Sequence, residues 1–264
     1  PFGLRKGIRG MRAAAPSDRD RLATEFVEHL DECLSRYHVE LDPDGKHRLS
    51  QLFTEAIGNA EDHGGQREWW IGGYLRQPPG NAPGDLNISV FNFGNTICQT
   101  LNKLPEGSLL RDRLSGLVER HRGDGSYGRT YSPEETWMLG AMQEGVSRVN
   151  DQADRLGHRG TGTFHMAETF QTLSRPADAT YRPMMVVVSG RSRVVFDGRH
   201  RMVETDTGFG EVRPVIAFND DNDLRLRPNP RNVHRLERVF PGTIISLRVY
   251  LDGDHLQSLA SVQP

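Results

Sequence analysis

Apolar residues recur every three or four positions through Leu22, Phe26, Leu30, Cys33 and Tyr37, which predicts an amphipathic helix ending near Tyr37. Ser17 stands at the N-cap position, with Asp20 in the first turn. Asp42-Pro43-Asp44-Gly45 reads as a turn. The helical period returns at Leu49, Leu52, Phe53, Ala56, Ile57 and Ala60, and Gly64-Gly65 closes this second helix. The pattern then changes. Residues 67–76 carry Trp69, Trp70, Ile71 and Tyr74. Residues 85–93 alternate Leu86, Ile88 and Val90 with polar neighbours. Both segments read as strands, joined by a Pro/Gly-rich loop at 77–84. Of the paired tryptophans, one is expected in the core and one at an edge.

Helical spacing resumes in the middle of the chain. Leu109, Leu110, Leu114, Leu117 and Val118 suggest a short helix. Ser132-Pro133-Glu134-Glu135 combines a cap, a proline suited to the first helical position and a capping-box glutamate. Met138, Met142, Val146 and Val149 continue that helix. Another covers 164–173, with Ala167, Phe170 and Leu173 spaced for burial. The last third reads as strands: 184–189, 193–197 and 199–204 as a meander turning at Gly190 and Asp197-Gly198, then 212–218 and 243–251. Residues 219–235 read as a polar loop, and residues 1–16, with Arg5, Lys6, Arg9 and Arg12, as an irregular basic tail. Helices first and strands last, with no linker between them, predict one α+β domain over 17–264, its helices on one face of a sheet.

Composition narrows the function. The net charge of −2 offers no global field for nucleic acid. Two cysteines, Cys33 and Cys98, make neither a disulfide framework nor a zinc site alone, and a reducing, cytoplasmic setting is expected. The longest apolar run, 184–188, is too short to cross a membrane, and the first residues show no apolar signal core. Glycine is abundant, at 28 residues, which directs attention to glycines with a specific role.

Three segments carry candidate chemistry. Glu55, Asn59 and His63 fall at i, i+4 and i+8 of the second helix and share one stripe, bordered by Asp62 and separate from the apolar face. The amide oxygen, with waters, suits Mg2+, and Glu55 is placed to orient or deprotonate a water. The same spacing fits an ordinary solvated helix face. Asn92-Phe93-Gly94-Asn95-Thr96 closes a strand, where a polar side chain before a glycine can present an acceptor to a base; a strand-ending turn is the plain alternative. Arg159-Gly160-Thr161-Gly162-Thr163 precedes a helix, an arrangement that favours phosphate. It lacks the Gly-Lys-[Ser/Thr] of a P-loop, and no strand leads into it as in a Rossmann fingerprint. A simple glycine-rich turn is the alternative there.

Taken in order, these segments resemble the GHKL superfamily, whose ATP-binding domain is the Bergerat fold. The family's Glu-x-x-x-Asn-Ala helix is matched by Glu55-Ala56-Ile57-Gly58-Asn59-Ala60. Its Asp-x-Gly-x-Gly box aligns with Asn92-Phe93-Gly94-Asn95-Thr96. Its second glycine box aligns with Gly160-Thr161-Gly162-Thr163-Phe164, and its late Gly-Thr strand with Gly242-Thr243. The resemblance covers roughly 17–251 and is nearest to a bacterial branch of stand-alone ATP-binding proteins.

The resemblance implies a two-layer α/β sandwich with a mixed, mostly antiparallel sheet. It implies that Asn59 ligates Mg2+ between the ATP phosphates and that Glu55 activates the attacking water. Asn92 would meet the adenine amino group, with Gly94 against the base and Thr96 in the same box. Gly160, Thr161, Gly162 and Thr163 would wrap the phosphates, with His63 beside them and Thr243 at the adenine end. Residues 97–157 would form the ATP lid. Two positions depart from the family. Asn92 replaces Asp, which removes a charge-assisted contact and relaxes base choice. Thr96 replaces the second glycine of its box. The function implied is a Mg2+-dependent ATP-binding protein, a slow ATPase used as a nucleotide-controlled switch, with a protein partner or homodimer through the lid or the N-terminal helix. A protein kinase of the anti-sigma-factor or histidine-kinase type is one alternative, and a non-enzymatic nucleotide sensor is another. Neither nucleic acid nor membrane is an expected partner.

Overall fold

A computed structural model describes residues 2–8, 18–63, 68–76, 84–122, 131–143, 162–173, 183–206, 212–251 and 256–258. Helix α1 (Asp18–Ser35) buries Leu22, Phe26, Leu30 and Leu34, while Cys33 is half-buried. Helix α2 (Pro43–His63) buries Leu49, Leu52, Phe53, Ala56, Ile57 and Ala60, as the apolar period requires. It starts earlier than that stripe suggests, because Asp42-Pro43 is a helix start and not a free turn. The Asp42 carboxylate accepts from the Gly45 N–H at 2.5 Å. Pro43 takes the first helical position, where a missing N–H costs nothing.

Strands β1 (Phe2–Ile8), β3 (Glu68–Arg76), β4 (Asp85–Asn92), β5 (Met184–Phe196) and β8 (Val233–Tyr250) form one sheet in the order β1-β3-β4-β8-β5. Each neighbouring pair is antiparallel, in line with the mostly antiparallel sheet expected. β2 (Val39–Leu41) pairs with β9 (Leu256–Ser258), and β6 (Val203–Asp206) pairs with β7 (Val212–Val215). Register follows the alternation: Leu86, Ile88 and Val90 of β4 face inward with Ile245, Leu247 and Val249 of β8 and Met185 and Val187 of β5. α1 and α2 cover that inner face, where Phe26 packs edge-on against Phe53 with centroids 4.9 Å apart. Trp69 points into this core and Trp70 to the other face, stacked on Phe91. The chain is therefore an α+β sandwich.

Three expectations change, the first being that β8 begins at Val233, inside the expected polar loop and well before the expected start at 243. The segment expected as a basic tail begins with β1, because Phe2 inserts against Phe26 at 4.5 Å and buries its ring. Full burial of such a side chain contributes about 1.5–3 kcal/mol, enough to hold a short edge strand. The expected meander at 184–204 is one long strand through residue 196. Gly190, read as a turn, is a bulge with φ +61° that shifts the β5–β8 register and lets β5 continue.

The described part of the expected lid is built into the core. It comprises α3 (Ile97–Leu101), α4 (Leu109–His121) and α5 (Pro133–Ala141). Leu101, Leu104, Leu114, Trp137, Met138, Leu139 and Met142 are all buried in the main hydrophobic cluster. Ser132 caps α5, Glu135 completes the capping box and Pro133 follows the cap, as expected from sequence. Polar ties add to this: Tyr131 Oη donates to Pro228 O at 2.7 Å, and the Gln143 carboxamide exchanges hydrogen bonds with the Ile216 backbone at 2.9 and 3.1 Å. Val146 and Val149, expected to extend α5, lie outside the described residues. Helix α6 (Gly162–Leu173) buries Ala167, Phe170 and Leu173.

Candidate functional site

The helix motif of α2 is where the candidate residues meet. Glu55 and Asn59 are both half-buried. Asn59 Nδ2 donates to the Glu55 carbonyl at 3.0 Å, which orients the amide along the helix. Its Oδ1 accepts from Thr163 Oγ1 at 3.1 Å. Thr163 lies in the first turn of α6, which Gly162 opens. Two segments 104 residues apart in sequence are thus joined through the side chains singled out from sequence. Gly160 and Thr161 lie outside the described residues. His63 ends α2, and its side chain, like that of Asp62, is not among those described. His165 lies on the exposed surface of α6 beside Glu168, 3.4 Å away.

The next residue, Ala60, links the helix to the sheet. Its carbonyl lies in the last turn of α2, where carbonyls lack a helical partner. It accepts from Asn92 Nδ2 at 2.9 Å. Asn92 Oδ1 in turn accepts from the backbone N–H of Thr243 at 3.3 Å. The carboxamide is therefore pinned, because a flip would set N–H against N–H and carbonyl against carbonyl. Asn92 is 1% exposed and Thr243 8% exposed, so both polar groups lie under cover.

Gly242 makes this approach possible. Its φ is +147°, and a Cβ there would stand 2.1 Å from the Asn92 carbonyl oxygen and 3.0 Å from the Gly94 nitrogen. Gly94 thus packs by its backbone against the Gly242–Thr243 corner. Thr96 caps α3: its hydroxyl accepts from Gln99 N at 3.1 Å, and the Gln99 side chain returns a bond to Thr96 N at 2.9 Å. Thr96 therefore serves as a helix start.

Sequence reasoning missed two groups that complete the cluster. Ser189, 2% exposed, contacts Thr243 Oγ1 at 2.8 Å and Gly242 O at 3.1 Å, and accepts from Ile97 N at 2.8 Å. The available signal was its parity: after Met185 and Val187 it is the next core-facing position of β5, so a hydroxyl there needs partners. Glu134, read only as a helix-start residue, accepts from Arg191 N at 2.7 Å and holds α5 on the Gly190 bulge. Close by, burial and the Glu134 charge push the Cys98 thiol up to about 11.

No group of three or more His, Cys, Asp or Glu side chains among the described residues gathers to hold a metal ion. Among the described residues, the α2–α6 contact presents the Asn59 amide oxygen and the Thr163 hydroxyl, with Glu55 one turn earlier on α2. That set suits Mg2+, which keeps waters and takes most remaining ligands from phosphate. A shallow groove of about 450 Å³ lies on the other face of the sheet, between Tyr74, Phe91, Met184 and Arg248, and carries none of the candidate residues. No described helix is long and apolar enough to cross a membrane. Comparisons with protein-family models, curated proteins and solved structures give no match.

Proposed function

We propose that this chain is a Mg2+-dependent ATP-binding protein that hydrolyses ATP slowly and responds to the nucleotide as a switch. The observation that carries the reading is the Asn59–Thr163 hydrogen bond, which brings the Glu55–Asn59 stripe to the start of α6. An ATP triphosphate would lie at this junction, with the first-turn N–H groups of α6 as anion donors. Mg2+ would be held by Asn59 Oδ1 together with phosphate oxygens and water, and when bound it neutralises phosphate charge. Thr163 would release Asn59 Oδ1 and turn its hydroxyl to phosphate. Glu55, one turn before Asn59, would accept the proton of the attacking water.

The base would lie at the β4–β8 end, near Asn92 and Thr243. Both are covered in the structure, so base binding requires rearrangement of what covers them. The described part of the expected lid packs in the core, so the nucleotide response is assigned to the start of α6.

The test is calorimetric titration with ATP and Mg2+, with phosphate release measured in parallel. The wild type should bind ATP and release phosphate slowly. Glu55→Ala should keep binding and lose release. Unchanged release in that variant would remove the catalytic role of Glu55, and an absence of binding at millimolar ATP would overturn the nucleotide reading.

A further inference from the structure

We propose that the outer face of the main sheet, turned away from α1 and α2, is the contact surface for a second copy of this chain, so that the protein is a dimer packed sheet against sheet. This contact is independent of the nucleotide reading, because the α2–α6 junction lies on the helix side of the sandwich.

All five strands contribute to this face. Trp70 and Tyr74 of β3, Phe91 of β4, Ile244 of β8 and Val186 of β5 alternate with the core-facing positions. Leu4 of β1 joins them where the β1–β3 register shifts. Leu4 is 63% exposed and Tyr74 50% exposed. Among the described residues, the groove of about 450 Å³ in this face is lined by strand residues alone. An apolar face of this extent on a folded chain marks an interaction surface.

Size and chemistry both point to a like partner. Five strands span about 24 Å, and the eight residues of β4 run about 27 Å. The face therefore offers about 650 Å² per copy, and two copies would bury about 1,300 Å², inside the range of about 1,200–2,000 Å² for stable interfaces. A single helix is about 10–12 Å wide and would cover less than half of the width, whereas a second five-stranded sheet matches all of it. The side chains also fit an interface between copies, being rich in aromatic residues with Met184 and Arg248 beside them. The acids on this side are already matched within the chain, Glu68 with Lys6 and Asp85 with Arg76, so the face presents neither an acidic patch nor the cationic row that a polyanion requires. Within the groove, the Ser89 and Ser246 hydroxyls bond to each other at 2.8 Å, so covering them strands neither. Tyr74 stands half exposed at the groove, and a two-fold axis lets the ring of each copy enter the groove of the other.

The test is sedimentation equilibrium of the full chain, without nucleotide and with ATP and Mg2+, the fold of each variant being checked by circular dichroism. The wild type should fit a monomer–dimer equilibrium with a dissociation constant on the order of 1–100 μM in both conditions. Tyr74→Glu sets a charge in the middle of the contact and should raise that constant about tenfold or more. Met184→Lys, in another strand lining the same groove, should act likewise and serves if the first variant does not fold. Val212→Glu is the control: this apolar residue is 69% exposed on β7, in a separate two-stranded sheet, and its replacement should leave the constant within about twofold. A wild type that sediments as one chain up to about 100 μM overturns the proposal. So does a dimer that persists in both folded variants, that dissociates equally in Val212→Glu, or that forms only with ATP and Mg2+.

Discussion

Replacing Gly242 with alanine places a methyl group where β4 and β8 come closest. The new Cβ would stand 2.1 Å from the Asn92 carbonyl oxygen, 2.9 Å from its carbonyl carbon and 3.0 Å from the Gly94 nitrogen. All three are backbone atoms, so no change of rotamer relieves the contact. The φ of +147° is also a conformation that residues with a Cβ rarely adopt. Backbone strain of this kind costs about 1–3 kcal/mol and overpacking costs about 1–3 kcal/mol more. We expect Gly242→Ala to lose about 3–4 kcal/mol, with the β4 end pushed away from β8 and the Thr243–Asn92 bond weakened. Guanidinium unfolding with linear extrapolation measures this directly, with the m value near that of the wild type. The thermal midpoint should fall by about 6–16 °C, at roughly 2–4 °C per kcal/mol for a chain of this size. Gly116 is the control. It lies inside α4, exposed, with nothing within 4 Å of a built Cβ. Gly116→Ala should stabilise by about 0.5–1 kcal/mol. A Gly242→Ala protein within about 0.5 kcal/mol of the wild type would refute the reading of this corner.

Two further outcomes follow from titratable groups, one buried and one half-buried. His121 is 1% exposed; its Nε2 donates to the Leu224 carbonyl at 3.1 Å, and its Nδ1 has no partner among the described residues. Burial, with Arg227 and Arg120 nearby, holds its pKa below the ordinary 6.5. The unfolded chain therefore takes up a proton first as pH falls, so stability should be full above about pH 6.5 and decline below it. His121→Gln should flatten that part of the unfolding-versus-pH curve, and an unchanged slope would remove His121 as its source. Cys98, with its thiol pushed up to about 11, should resist iodoacetamide at pH 8 in the folded protein and react after unfolding, as read by peptide mass spectrometry. Rapid alkylation in the native state would contradict the raised thiol pKa.

The helices were legible because their signals are local. The α2 stripe and the Ser132-Pro133-Glu134-Glu135 start needed only spacing and capping chemistry, and both are present as read. The errors arose where a local signal had two meanings. Asp42-Pro43 serves equally as a turn or a cap, and Gly190 as a turn or a bulge; the long partner strand β8 decided the second. β1 was hidden because its basic composition dominates a pattern anchored by one aromatic ring, Phe2. In the candidate site, the sequence singled out both partners of the Asn59–Thr163 bond by spacing and residue type, and Asn92 by its place at a strand end. The junction through Ala60 was not legible, because a backbone carbonyl leaves no mark in sequence. Ser189 and Glu134 escaped for a related reason: each acts on a partner more than 50 residues away, through contacts that only the fold creates.

The packing of α5 sets a limit on how the molecule can respond to a ligand. Trp137, Met138, Leu139 and Met142 are each at most 8% exposed. Lifting the helix off the sheet would return all four side chains to water, at about 1.5–3 kcal/mol apiece. That sum is comparable to the entire stability of a typical domain, about 5–15 kcal/mol. An effector that distinguishes two states by about 1–3 kcal/mol is far too weak to drive such a movement. For any ligand, then, α5 is a fixed wall, and a response must use displacements small enough to leave these side chains buried.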